Sequence, residues 1–188
     1  MSQADVLQRV IAELNRAGIP FMISGSVASG YHGESRSTYD IDIVIDADLS
    51  QVSSFVGGLA ESCYVSVTAA EEAVRQRAMF NVIDLDSGIK VDLILRKVRP
   101  FSVEEFNRRQ RAVISGVDAY VVSAEDCILS KLEWSRMGES ERQFRDALKI
   151  AELSKDASNL DLAYLEHWAK DLSVEQLLER LLNEAGIS

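Results

Sequence analysis

The chain has 188 residues, 47% of them apolar and 27% charged, which suits one folded core or a core with a helical appendage and leaves no long disordered tract. A net charge of −10 argues against broad, sequence-blind binding to nucleic acid. No run approaches the ~18 unbroken apolar residues of a membrane span, so no membrane association is expected.

Residues 3–17 carry Val6, Leu7, Val10, Ile11 and Leu14 at helical spacing, with Asp5, Gln8, Glu13 and Arg16 between them. That pattern predicts an amphipathic helix, not the apolar run of an export signal. Gly18-Ile19-Pro20 breaks it, and residues 21–24 read as a buried strand. Gly25-Ser26 turns the chain into a short helix over 27–32, and 33–39 is polar and loop-like. Residues 40–46 alternate, with Ile41, Ile43 and Ile45 on one face and Asp40, Asp42, Val44 and Asp46 on the other, as a strand with one buried face requires.

A helix over 51–61 and a strand over 63–67 follow, and Thr68 with Glu71 forms a capping box for a helix running to 77. Residues 79–86 and 89–96 form a hairpin around Ser87-Gly88. A helix over 102–109 and strands at 112–114 and 119–122 complete the mixed part. Beyond Ser123, which caps a helix with Asp126 in its first turn, helical periods dominate, over 140–153, 161–170 and 174–184. Ser173 with Gln176 reads as a second capping box, and Gly186 as a stop. The expectation is an α/β (α+β) fold: a mixed-sheet core over 1–122 and a helical C-terminal section over 123–188.

Cys63 and Cys127 make neither a zinc pattern nor a disulfide framework, which points to a reducing, cytoplasmic compartment. His32 and His167 lie too far apart for a local metal motif, and His32 reads better as a packed or capping residue than as a base. Arg96, Lys97, Arg99, Arg108, Arg109 and Arg111 are opposed locally only by Glu104 and Glu105, making either a solvated face or a basic surface on an acidic protein. Trp134 and Trp168 fall at helical positions and read as core.

Asp40 and Asp42, two apart in a strand, leave the same face. Asp92 lies in a second strand, with Val91, Leu93 and Leu95 on its opposite face, so a third carboxylate can join the pair across the sheet. Three converging carboxylates repel one another and call for a cation; oxygen-only ligands favour Mg2+ or Mn2+. Alone, such a pair is more often a solubilising strand end. Gly25-Ser26, after a strand and at the start of a helix, adds a place where backbone N–H groups receive phosphate oxygens.

The string Ile23-Ser24-Gly25-Ser26, thirteen residues, Asp40-Ile41-Asp42-Ile43 and later Val91-Asp92-Leu93 resembles the DNA polymerase β-like nucleotidyltransferase superfamily. With Val27-Ala28, His32-Gly33 and Arg36-Ser37-Thr38 it is similar to the branch of AbiEii-type toxin nucleotidyltransferases, in which Arg-x-Thr before the acid pair is common. Lys131-Leu132 and Arg145-Asp146 resemble a lysine and an Arg-Asp pair of that branch, whereas Lys149 stands where relatives often carry a further acid.

The resemblance implies transfer of a nucleoside monophosphate from a nucleoside triphosphate to an acceptor hydroxyl on RNA, protein or a small molecule. Asp40, Asp42 and Asp92 would be its catalytic and metal-binding acids. Gly25, Ser26, Arg36, Lys131 and Asp146 would lie on the nucleotide, and an antitoxin would be a partner. Lys131 is otherwise an exposed helix lysine, Arg36 a partner of Glu34 or Asp40, and Asp146 a partner of Arg142 or Arg145. Two other functions share the motif set: a catalytically silent fold acting as a binding partner, and an aminoglycoside-like small-molecule transferase.

Overall fold

The computed structural model describes residues 2–33, 40–155 and 160–187. First come α1 (Gln3–Arg16), β1 (Phe21–Ile23), α2 (Gly25–His32), β2 (Asp40–Ile45), α3 (Leu49–Leu59), β3 (Cys63–Val65) and α4 (Val67–Gln76). Next are β4 (Met79–Asp84), β5 (Lys90–Leu95), α5 (Pro100–Asn107), β6 (Gln110–Ile114) and β7 (Val117–Val121). Then α6 (Ala124–Gly138), α7 (Glu141–Lys155), α8 (Leu162–Asp171) and α9 (Glu175–Ala185) follow. The described residues form two compact units, 2–26 with 40–121, and 27–33 with 122–155 and 160–187. No helix among them is long and apolar enough to cross a membrane.

The first unit is built on a seven-stranded mixed sheet in the order β3-β4-β5-β2-β1-β7-β6. Strand β2 sits between β1, antiparallel to it, and β5, parallel to it. Its alternation works as the sequence predicts: Ile41, Ile43 and Ile45 are fully buried, and the register sets them beside Val91, Leu93 and Leu95 of β5. Each such side chain contributes roughly 1.5–3 kcal/mol on burial, so a one-residue slip of β2 would cost the whole set.

Helix α1 lies on that apolar face. Val6, Leu7, Val10, Ile11 and Leu14 are buried along one stripe, and Arg9 pairs at 2.7 Å with Asp84 of β4. Asp84 shares the face of Val82 and Val91, is fully buried, and also accepts from the N–H and hydroxyl of Ser87 in the following turn. Burial alone would raise its pKa, but the Ser87 and Arg9 hydrogen bonds outweigh this and hold the carboxyl below its ordinary value.

Several helix starts differ from the sequence reading. Helix α4 is capped by Ser66, whose hydroxyl accepts from the Ala69 N–H, so it begins before Thr68. Helix α3 begins earlier than expected because Asp48 and Gln51 form a reciprocal capping box.

The basic stretch is drawn into local contacts. Arg96 pairs with Asp46 at 2.7 Å, Arg99 donates to Ser102 Oγ, and the Arg109 guanidinium lies over the rings of Phe106 and Tyr120.

The second unit packs α6 on α7, and α8 and α9 beside them. Ser123 caps α6 as expected; its hydroxyl donates to Asp126 Oδ2, while the Tyr164 hydroxyl donates to the other carboxylate oxygen. Ser173 makes no capping box. It adopts φ +55° to close the end of α8, and α9 starts after Val174 without a side-chain cap. Trp134 is exposed, a correction to its reading as core.

Candidate active site

The register of β2 on β5 sets Asp42 opposite Asp92 and Asp40 opposite Lys90. Paired residues in neighbouring strands point the same way, so these four side chains form a square on the face away from Ile41 and Ile43. On the far side of Asp92, β4 brings Asn81 into register, and its amide donates to Asp92 Oδ1. Asp92 is 7% exposed, Asp42 half-buried and Asp40 exposed.

Lys90 stands among the acids. Its Nζ is 3.1 Å from Asp92 Oδ2 and 3.9 Å from Asp40 Oδ1. The hydrogen bond to Asp92 raises the lysine's pKa above its ordinary value, against some desolvation, and the charges of Asp92, Asp40 and Asp42 add to the rise. Neither Lys90 nor Asn81 stands out in the sequence. The period-two pattern could have found Lys90, which lies two residues before Asp92, but placing Asn81 needs the hairpin register.

Strand β1 carries the turn to the same place. It runs antiparallel to β2, and the Ser24 N–H donates to the Asp42 carbonyl at 2.9 Å. The next residue, Gly25, opens α2 with φ +59°, a left-handed conformation that side chains rarely adopt. A β-carbon there would lie 1.9 Å from Asp42 Oδ2. Two independent constraints therefore require glycine, and the start of a helix rests against the Asp42 carboxylate. Ser26 follows in the first turn of α2.

Lys131 and Asp146 belong to the second unit, where they form an ion pair of 2.9 Å between α6 and α7. Lys131 is only 5% exposed, so the reading of an exposed helix lysine is corrected. Lys149 is exposed and paired with Glu152. His32 lies against the Val122 carbonyl, its Nε2 donating at 2.6 Å, and burial lowers its pKa despite that bond and the charge of Glu125. A half-buried imidazole held on a backbone carbonyl in this way suits packing better than proton transfer. Arg36, with Glu34, Ser37 and Thr38, lies outside the described residues.

Among the described residues no three His, Cys, Asp or Glu side chains stand close enough together to hold a metal ion as they are. The donor chemistry nevertheless fits a hard divalent cation, since Asp40, Asp42 and Asp92 share one sheet face and offer only oxygen. The Lys90 ammonium lies on Asp92 and beside Asp40.

The fold has counterparts among solved proteins. An antigenic nucleotidyltransferase-like protein from Paracoccidioides brasiliensis superimposes with a TM-score of 0.55 at 17% identity, over 93% of this chain and 91% of that one. The fold is that of the nucleotidyltransferases. The lincosamide antibiotic adenylyltransferase LnuA aligns over 81% of this chain and 98% of its own, with a TM-score of 0.54 and 10% identity. The antibiotic-resistance factor ANT(2'')-Ia aligns over 90% and 97%, with a TM-score of 0.52 and 14% identity. No protein-family model matches the chain, and no curated protein matches its sequence.

Proposed function

We propose that this nucleotidyltransferase-fold protein is a metal-dependent enzyme that moves a nucleoside monophosphate from a nucleoside triphosphate to an acceptor hydroxyl. The observation that carries the reading is the contact of Gly25 with Asp42. It brings a helix start suited to phosphate oxygens against one of three acids sharing a sheet face. A purely structural acid pair does not need a left-handed glycine against it.

In this reading Asp40 and Asp42 hold Mg2+ or Mn2+, and Asp92 completes the site. When bound, the ion neutralises charge that develops on the phosphates and lowers the pKa of the attacking hydroxyl. The backbone N–H groups of Gly25 and Ser26 receive phosphate oxygens and align the α-phosphate. The acceptor oxygen forms the new bond to that phosphorus, its proton passes to the Asp92 carboxylate, and the bond to the departing pyrophosphate breaks. Arg36, Lys131 and Asp146 are assigned to the nucleotide side.

Two acceptor classes follow from likeness. A small-molecule hydroxyl is favoured by the fold neighbours, two of which carry antibiotic resistance or antibiotic adenylyltransferase in their names; one, ANT(2'')-Ia, has been crystallised with adenylyl-2''-tobramycin. An acceptor on RNA or protein, with an antitoxin partner, rests on the AbiEii-type motif set around Arg36, Asp40 and Asp42. The buried thiols Cys63 and Cys127 suit a cytoplasmic setting for either. The test is incubation with magnesium and each labelled nucleoside triphosphate, in turn with tobramycin, lincomycin, total RNA and a protein extract, followed by mass measurement of the products. Added nucleoside monophosphate on one acceptor class is expected. No transfer from any triphosphate to any acceptor would leave a catalytically silent binding protein as the better reading.

A further inference from the structure

We propose that Lys90 is a built-in counter-cation of the acid site, one that fills the ion's role in the ligand-free protein and must withdraw when ion and triphosphate arrive. The proposal rests on the reading of Asp40, Asp42 and Asp92 as cation ligands, and it adds a device that makes ion and nucleotide binding interdependent.

The geometry sets the device. Lys90 and Asp92 alternate onto the same face of β5, and the parallel register brings Asp40 and Asp42 onto that face from β2. Both oxygens of Asp92 are engaged, Oδ1 by the Asn81 amide and Oδ2 by the Lys90 ammonium at 3.1 Å. The ammonium also reaches within 3.9 Å of Asp40. A divalent ion using Asp92 and Asp40 would meet that positive charge at contact range, so the two cations compete for the same oxygens. Asn81 carries no charge and presents no such conflict.

Lys90 is free to yield in a way the acids are not. Its side chain is 39% exposed and its four-carbon stem is flexible, whereas Asp92 is held in the sheet beside Asn81. Withdrawal costs the ammonium its acid partners. A bound triphosphate would replace them with phosphate oxygens, which a lone ion does not bring. Ion alone is therefore held weakly, and ion with polyphosphate much more tightly.

The experiment is a manganese titration, followed by the electron paramagnetic resonance of the unbound ion, on wild type, K90M, K90Q, K90R and D42N. Each is measured with manganese alone and with manganese and inorganic tripolyphosphate. K90M is expected to bind manganese alone about tenfold more tightly than wild type, a change of ~1.4 kcal/mol, close to the scale of one charge contact screened by water. K90R, which keeps the charge, should resemble wild type, and tripolyphosphate should strengthen manganese binding less in K90M than in wild type. K90Q keeps a hydrogen-bond donor for Asp92 without charge and must behave as K90M does, which covers the case in which K90M fails to fold. Ion-free K90M should melt below wild type and recover on adding manganese. Equal or weaker manganese binding by K90M and K90Q, alongside clear binding by wild type, overturns this proposal alone. Failure of wild type to bind manganese even with tripolyphosphate, or D42N binding as well as wild type, overturns the functional reading and this proposal with it.

Discussion

Gly25 stands so close to Asp42 that a β-carbon added to it would lie 1.9 Å from the carboxylate oxygen Oδ2. The contact joins the end of β1 to the middle of β2, and the Ser24 to Asp42 backbone hydrogen bond fixes it from below.

Gly25→Ala should therefore cost both stability and activity. The left-handed φ of +59° adds about 1–2 kcal/mol of strain with a β-carbon present, and the clash forces the Asp42 side chain away. Displacing a proposed catalytic group by about 1 Å is expected to lower transfer by roughly a hundredfold. Urea unfolding and initial rates check the two effects separately. An alanine variant that folds and keeps full activity would show that the turn has no part in catalysis.

The Lys131–Asp146 pair should behave as a buried ion pair. Lys131→Met removes the ammonium from Asp146 in a site where the two side chains are 6% and 14% exposed, and the expected loss is about 3 kcal/mol. Changing both residues should recover much of that loss, because the carboxylate that lost the ammonium is gone as well. A double-mutant cycle in urea gives the coupling. Additive losses would mean that the pair contributes nothing in solution.

Asp84 provides a pH-dependent test of the fold. Its folded pKa lies below its ordinary value, since the Ser87 and Arg9 bonds prevail over burial. A lowered carboxyl pKa means that the unfolded chain binds the proton more readily, so the stabilisation is complete above pH ~4 and is lost as the pH falls through the folded pKa. Asp84→Asn should be less stable than wild type by a constant margin at neutral pH, and the margin should shrink below pH ~4. Urea melts across that range measure it. A margin independent of pH would mean that the carboxylate charge is not what matters.

How far the site could be read from the sequence follows from the kind of information each feature needs. Asp40, Asp42 and Asp92 stand out because strand alternation is a local signal, and the buried Ile41, Ile43 and Ile45 make their face unambiguous. Gly25 stands out only together with the acids that follow it, because a glycine between strand and helix also serves an ordinary tight turn. Asn81 does not stand out: its place beside Asp92 depends on a hairpin whose strands end at Asp84 and begin at Lys90, a register that Ser87-Gly88 alone does not set. The burial of Lys131 depends on helix α7 lying against α6, which helical spacing within α6 cannot reveal. Ser173 has the type and spacing of a cap, but the tight end of α8 consumes it in a left-handed turn.

Asp42→Asn tests the central claim most directly. The change preserves shape and removes one charge from a face that holds Asp40, Asp42, Asp92 and Lys90. Without ligand it should leave stability unchanged or slightly raised, as repulsion among the acids falls. Thermal melts of wild type and Asp42→Asn, with and without magnesium and a panel of nucleoside triphosphates, are the measurement. Wild type is expected to gain about 2.7 kcal/mol at a hundredfold excess of the bound triphosphate over its dissociation constant, and Asp42→Asn to gain nothing. Equal shifts in the two proteins, or loss of stability in ligand-free Asp42→Asn with the nucleotide response intact, would contradict the assignment of Asp42 to the ion.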